Sequence, residues 1–261
     1  MRPRETLWLW VAVLAAITLT ALAEPAGDRP ARPPATRVDW SGPWIIPEGE
    51  FVVSVLREQD PRDPSAPALT PVYRAILDAA NLRRATGRDT SGANLHTNAE
   101  SCRPPGMPDL MRYPVAIELL FTRGRVTLLS EQGPAIRRIY TDGRAHDPDA
   151  EPSYQGESIG HWEGTTLVVD TTAISSKAQL IGAVRTSGQA HIVERLHLTD
   201  PAHLQIDTTV SDPLALVRPW RYTRRYQRLD SGFVEMVCLD NNRDADGGEP
   251  DLTPPTASTA P

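Results

Sequence analysis

Polar and apolar residues alternate with period two over most of the second half of the chain. Val115 to Leu120, Arg125 to Glu131, Ile136 to Tyr140, Thr166 to Thr171, Ala190 to Leu198, Leu204 to Val210, Tyr222 to Arg228 and Phe233 to Cys238 each put apolar side chains on one face of an extended segment. Asp142-Gly143, Glu163-Gly164, Asp200-Pro201 and Ser231-Gly232 supply turn chemistry between them. Strands joined by short turns, with no helix between, predict antiparallel meanders and a curved sheet or barrel rather than a parallel α/β layout. Phe51 to Leu56 is a candidate ninth strand. One stretch is helical in character: over Thr70 to Arg84, Thr70 caps, Pro71 takes the first helical position and Gly87 follows the end. Val72, Ile76, Ala79 and Ala80 line one face of it with Leu77 beside them, which predicts a single N-terminal helix packed on the sheet.

The two ends lack this patterning. Arg2 and Arg4 precede an apolar run from Leu7 to Leu22, and Ala21-Leu22-Ala23 closes it, which is the layout of a signal peptide cleaved after Ala23. The run is short for a membrane span, so no span is expected to remain after cleavage. The expected product is an exported protein, periplasmic or secreted. Residues 24–38 are rich in proline and arginine and predict a flexible leader, and residues 241–261 predict a disordered tail, leaving 39–240 as one β-rich domain. Asn242, Asp244 and Asp246 in that tail resemble the start of a calcium loop, but Thr253 stands where a bidentate glutamate is required, so no calcium site is expected.

Composition narrows the function classes. The chain has 261 residues with 27 basic and 33 acidic side chains, a formal charge of −6, and Lys177 is its single lysine. An acidic balance without basic clusters argues against nucleic acid as a partner, because duplex binding needs a cationic face. Small molecules are the more natural partners. Cys102 and Cys238 are the two cysteines, neither lies in a CxxC or beside a histidine, and export into an oxidising compartment predicts a disulfide between them.

The alternation also sorts polar residues by face. In Ala190 to Leu198, Glu194 shares a face with Ala190, Ile192, Leu196 and Leu198, while His191, Arg195 and His197 point the other way. A carboxylate on the inner face of a barrel is desolvated and needs a cation, for which Arg138 is the candidate because it alternates with Ile136 and Tyr140. Asp170 shares parity with Thr166 and Val168, and either face of that strand could be the inner one. His161 stands before the Trp162-Glu163-Gly164 turn, at a strand end where barrel mouths collect binding groups. Each has a plainer reading: a buried ion pair for Glu194, a solvent-exposed rim position for His161, and core packing for Trp162 and Trp220. The chain has no HExxH, Walker loop or GxGxxG after a strand, and its six histidines form no metal signature. His191 and His197, about 20 Å apart along a strand at ~3.3 Å per residue, cannot chelate one metal. Neither metal nor cofactor is therefore expected.

Arg137-Arg138-Ile139-Tyr140-Thr141-Asp142-Gly143-Arg144, followed by Ser158-Ile159-Gly160-His161-Trp162-Glu163-Gly164 and Thr166-Leu167-Val168-Val169-Asp170-Thr171, resembles a broad family of exported bacterial proteins of undefined function. The resemblance runs from Asp39-Trp40-Ser41-Gly42-Pro43-Trp44 through Cys102 to Met107-Pro108, then to His191-Ile192-Val193-Glu194-Arg195, Asp212-Pro213, Pro219-Trp220 and Cys238. Thr165 departs from it, standing where such sequences carry Asp after the Glu-Gly turn. The resemblance implies a lipocalin-like β fold and supports the cysteine pairing, but it implies no reaction.

Two functional expectations follow. The first is a β-barrel that binds a small, mostly apolar molecule in an internal cavity, oriented by Arg138, Tyr140, His161, Trp162, Asp170 and Glu194. The alternative is a cofactor-independent lyase, isomerase or hydrolase, with Glu194 or Asp170 as base and Tyr140 or His161 as acid. A third reading, a structural module offering an edge strand, predicts a filled interior.

Overall fold

A computed structural model of the chain describes residues 40–87, 97–99, 102–132, 135–232 and 234. Among these, nine strands close into a barrel in the order β1, β11, β10, β9, β6, β5, β4, β3, β2. The strands are β1 (Gly42–Ile45), β2 (Ile117–Thr122), β3 (Arg125–Ser130), β4 (Ala135–Tyr140), β5 (Glu157–Glu163), β6 (Thr166–Thr172), β9 (His191–Asp200), β10 (His203–Ser211) and β11 (Trp220–Arg228). A separate two-stranded hairpin, β7 (Gln179–Ile181) with β8 (Val184–Arg185), interrupts the meander between β6 and β9. Two helices accompany the barrel, α1 (Glu48–Gln59) and α2 (Pro71–Thr86). The fold is therefore mainly β and built on a closed barrel.

Seven of the expected strands form, each within two residues of its predicted bounds. The eighth, Phe233 to Cys238, falls outside the described residues except for Val234. β5 escapes the alternation rule because its inward positions, Ser158 and Gly160, are small rather than apolar. A β-carbon at Gly160 would lie 2.8 Å from Ile139 Cγ2, so the strand is bare there to let its neighbour in. Every barrel pairing is antiparallel but one. β4 and β5 run parallel over Ile139↔Ser158 and Tyr140↔Ile159, the connection between them being the loop 141–156. β1 closes the barrel, pairing Trp44 with Ile117 on one side and with Arg228 on the other.

Phe51 to Leu56, expected as a strand, is instead the middle of α1. Helical spacing gathers Phe51, Val55 and Glu58 on the inward side, whereas Val52, Val53 and Leu56 are exposed, an arrangement that period two cannot produce. Glu48 and Glu50 in the first turn and Arg57 in the last also suit a helix electrostatically. The predicted helix forms as α2, with Thr70 at its N-cap and Gly87 closing it in the left-handed region at φ 68°. The Thr70 hydroxyl does not cap but donates 3.0 Å to the Leu214 carbonyl. Leu77 and Ala80 are the buried residues of α2 and Val72 is exposed, so the helix is turned from the expected face toward the β7–β8 hairpin.

A plug from outside the strands joins the barrel's core. Met107, Leu110 and Met111, the last two in a single 3-10 turn (Asp109–Met111), are fully buried in the same apolar core as Ile139, Val169, Ile192, Leu204 and Trp220. The Tyr226 hydroxyl donates 2.8 Å to the Met111 carbonyl from the inner face of β11. Gly106 permits the approach of this plug, since a β-carbon there would stand 2.7 Å from both the Tyr154 carbonyl and Ala178 Cβ. At roughly 1.5 to 3 kcal/mol per buried large apolar side chain, the plug residues contribute as core and not as a loop.

Charges are buried too. On the inner faces of the strands lie Arg137, Glu194 and Arg224, each 2% exposed or less. Glu194 pairs with Arg137, not with Arg138: β4 turns Ala135, Arg137 and Ile139 inward and Ile136, Arg138 and Tyr140 outward. Arg137 also donates to Ser158 Oγ at 3.1 Å and to Thr171 Oγ1 at 3.0 Å. Removing one member of such a pair strands a charge, whereas replacing both with apolar residues removes two desolvation costs together. Glu194→Leu alone is expected to lose about 3 to 5 kcal/mol in urea unfolding, and Arg137→Met combined with Glu194→Leu to return to within about 1 kcal/mol of the parent or above it.

Candidate functional site

The sequence-predicted residues do not converge. Glu194 is inside the barrel with Arg137, while Arg138 is exposed on the outer face of β4. Tyr140, half-buried on that same outer face, lies under the Arg144 guanidinium at 3.9 Å, and Arg144 in turn donates to Asp142 at 2.6 Å. His161 is exposed and 3.3 Å from Glu163, which also receives Arg195 at 2.8 Å. Trp162 packs edge-on against Trp40 at 5.5 Å and beside Phe121 at 6.4 Å. Asp170 belongs to an outer-face cluster, with His146 Nε2 at 2.9 Å and His191 Nε2 at 2.8 Å. The other nitrogen of His146 meets Glu157 at 2.8 Å, so the cluster fastens the loop 141–156 to β5, β6 and β9. Among the described residues, no group of three or more His, Cys, Asp or Glu side chains is placed to hold a metal ion. Cys102 is exposed, with φ 49°, and its expected partner Cys238 lies outside the described residues.

A pocket that the sequence reading missed lies beside the plug. Its walls come from α1 (Phe51, Val55, Glu58, Gln59), α2 (Leu77, Asn81, Arg84), Thr97, the plug (Asp109, Arg112, Tyr113) and the β7–β8 hairpin (Ile181, Gly182), around a volume of about 150 Å³. Its floor is ionic. The two oxygens of Glu58 are taken by Arg112 and Arg224, and Arg112 also donates 2.6 Å to Asp109 Oδ1. Gln179 Nε2 donates 2.7 Å to the other oxygen of Asp109 and reaches the Tyr113 hydroxyl at 3.3 Å. Gln179 is itself held by the Asn98 N–H, 2.7 Å from its Oε1, and the Asn98 amide pins the Pro104 and Lys177 carbonyls at 2.9 and 3.0 Å. The chain of bonds thus fixes the plug against the hairpin and the helix against both.

The electrostatics of this floor are uneven. Burial pushes Asp109 up to about 7 against the pull of Arg112, and the negative charge of Glu58 adds to the rise. Asp109 and burial together hold the Tyr113 phenol above its usual range. A carboxylate that titrates near neutral pH beside a cavity is the arrangement from which acid–base chemistry or pH-dependent binding is built. A second hollow, between Pro47, Glu50, Thr199, His203, Leu204, Arg225 and Tyr226, is larger at about 450 Å³, and its ion pair, Glu50 with Arg225 at 3.2 Å, is an exposed one. Surface pairs of that kind specify little.

No signal in the sequence marked the pocket, because its walls come from five separated stretches. The one local clue was Asp109 and Arg112 in the Pro-Gly-Met-Pro-Asp-Leu-Met-Arg segment, two opposite charges in an otherwise buried connection.

The Asp109 shift has a signed consequence. Unfolded, this carboxyl loses its proton near 4, and folded near 7, so between those values the native state binds more protons and loses stability as pH rises. Relative to Asp109→Asn, the parent protein is expected to lose stability from pH 4 to 7 with a slope of at most about 1.4 kcal/mol per pH unit, measured by denaturant unfolding across that range.

No family model matches the chain, and neither does any curated protein. Among solved structures it is similar to the wild-type fluorescent protein UnaG, at 13% identity over 73% of this chain and 97% of that one, with a TM-score of 0.33. It is also similar to pallilysin of Treponema pallidum, at 16% identity over 62% of this chain and 100% of that one, with a TM-score of 0.24. The barrel itself rests on the strand pairing described above.

Proposed function

We propose that this chain is an exported barrel protein that binds a small molecule in the pocket between α1, α2, the plug and the β7–β8 hairpin. The observation that carries the reading is a cavity with apolar walls, Phe51, Val55, Leu77 and Ile181, over a buried floor of fixed charges. Ligand sites have this composition: apolar area for affinity and a few held polar groups for orientation. Export rests on the signal-like segment ending at Ala23, and a Cys102–Cys238 disulfide belongs to the same reading. A ligand with an apolar body suits the walls.

A second reading is favoured by one specific feature, the near-neutral Asp109 beside Tyr113. In a cofactor-independent lyase, isomerase or hydrolase, Asp109 is the group that accepts or returns a proton. Binding without turnover separates the two: Asp109→Asn in a carrier retains ligand, whereas in an enzyme it removes turnover and leaves binding nearly intact.

The test is native mass spectrometry of the protein recovered from its own cells, followed by denaturing extraction. A mature chain beginning at Glu24 and carrying one bound molecule is the expected result. Val55→Trp, which fills the pocket from the partly buried face of α1, is expected to empty it while the protein still unfolds cooperatively. Retention of the molecule by Val55→Trp places binding elsewhere and sinks the assignment.

A further inference from the structure

Resting on the pocket as a binding site, the geometry points to its ligand class: a small monocarboxylate whose apolar body is the size of one aromatic ring.

Size comes from the volume. About 150 Å³ is the space that accepts a molecule such as benzene when it is lined by apolar side chains. Phe51 and Tyr113 stand 6.0 Å apart and tilted by 34°, giving the pocket an aromatic wall, with Val55, Leu77 and Ile181 completing the apolar lining. A flat ring fits such a lining through dispersion and edge or offset stacking.

Charge comes from an inventory of which polar groups are already used. Both oxygens of Glu58 and both oxygens of Asp109 are occupied by donors of the protein. Both side chains are also almost fully buried, so they have little surface left to offer a cationic ligand. Arg84 is different. It lines the pocket, is exposed, and its guanidinium has neither an ion pair nor a hydrogen bond with another described residue. The Tyr113 oxygen is reached by Gln179 as a donor, which leaves its own proton free to point at a ligand. Gln59 and Asn81 carry amides that donate as well as accept, so the charge preference comes from Arg84, a full positive charge on the lining that an anionic acceptor matches. A carboxylate meets the planar guanidinium with two parallel bonds while its ring lies on Phe51 and Val55.

The groups facing Asp109 give the expected pH response. Arg112 on its own segment, Glu58 from α1, Arg224 from β11, Gln179 from β7 and Tyr113 surround it. Ionisation of Asp109 adds negative charge to the floor, so an anionic ligand is held more weakly above neutral pH than below it.

The test uses the full chain after its own ligand has been stripped, with benzoate, benzamide and benzylamine as probes of one shape and three charges, read by calorimetric titration. Benzoate is expected to bind roughly tenfold tighter than benzamide, and Arg84→Gln to remove that advantage, bringing the two to similar affinity. Arg84 is on the surface of α2, so the variant folds, and its melting temperature checks this. Benzamide equal to benzoate, or benzylamine the tightest, overturns the anion assignment while the pocket stands. If none of the three binds up to millimolar concentration, or Val55→Trp binds them all as well, the pocket reading fails with it.

Discussion

Glu58 is a carboxylate taken out of water, and the guanidinium groups of Arg112 and Arg224 make that possible. A buried ion left unpaired costs several kcal/mol, so once α1 carries Glu58 inward the plug and β11 must present their arginines to it. Asp109 accepts a further bond from Arg112, and Gln179 ties Asp109 to the hairpin. Four segments remote in sequence are therefore held in one arrangement by a single run of bonds to charged groups. The pocket lies above that run, and its shape follows from it. Apolar packing decides that a barrel forms, but these bonds decide where its accessory segments stand.

The stretches with the densest motifs turn out to divide between the two sides of the sheet. Arg137, Ser158 and Thr171 meet Glu194 within the wall, a polar knot that locks β4, β5, β6 and β9 in register. Tyr140, Asp142 and Arg144 form a stacked turn outside, and His161, Glu163 and Arg195 form another. The first is bonded within the turn that follows β4, and the second fastens the end of β5 to β9. Asp170 serves the same end by gripping His146 and His191.

Legibility followed the range of the forces involved. In β9 and β10 the apolar positions fall on one parity, so the inward placement of Glu194 could be read from neighbours two residues away. In β4 either parity contains an isoleucine and an arginine, and the choice of Arg137 depends on Ser158 and Thr171, which lie in other strands. Phe51 to Leu56 has the composition of a strand, yet Glu58 anchors it as a helix from beyond the segment's end. The pocket was illegible for the same reason in stronger form: Leu77, Asp109, Arg112 and Ile181 acquire a common function only through tertiary contacts.

The position of β1 has a consequence for the unity of the domain. Trp44 is bonded on one flank to a strand about seventy residues later and on the other to the last strand described, at Arg228. The entry and exit of the barrel are thus neighbours, and neither half of the chain contains a complete sheet. Cutting the gene at any internal boundary yields fragments with open edges, so the domain has no smaller autonomous piece. Joining its two ends and reopening it at an outer loop would, by contrast, preserve every strand pair and change only the order in which the chain is read.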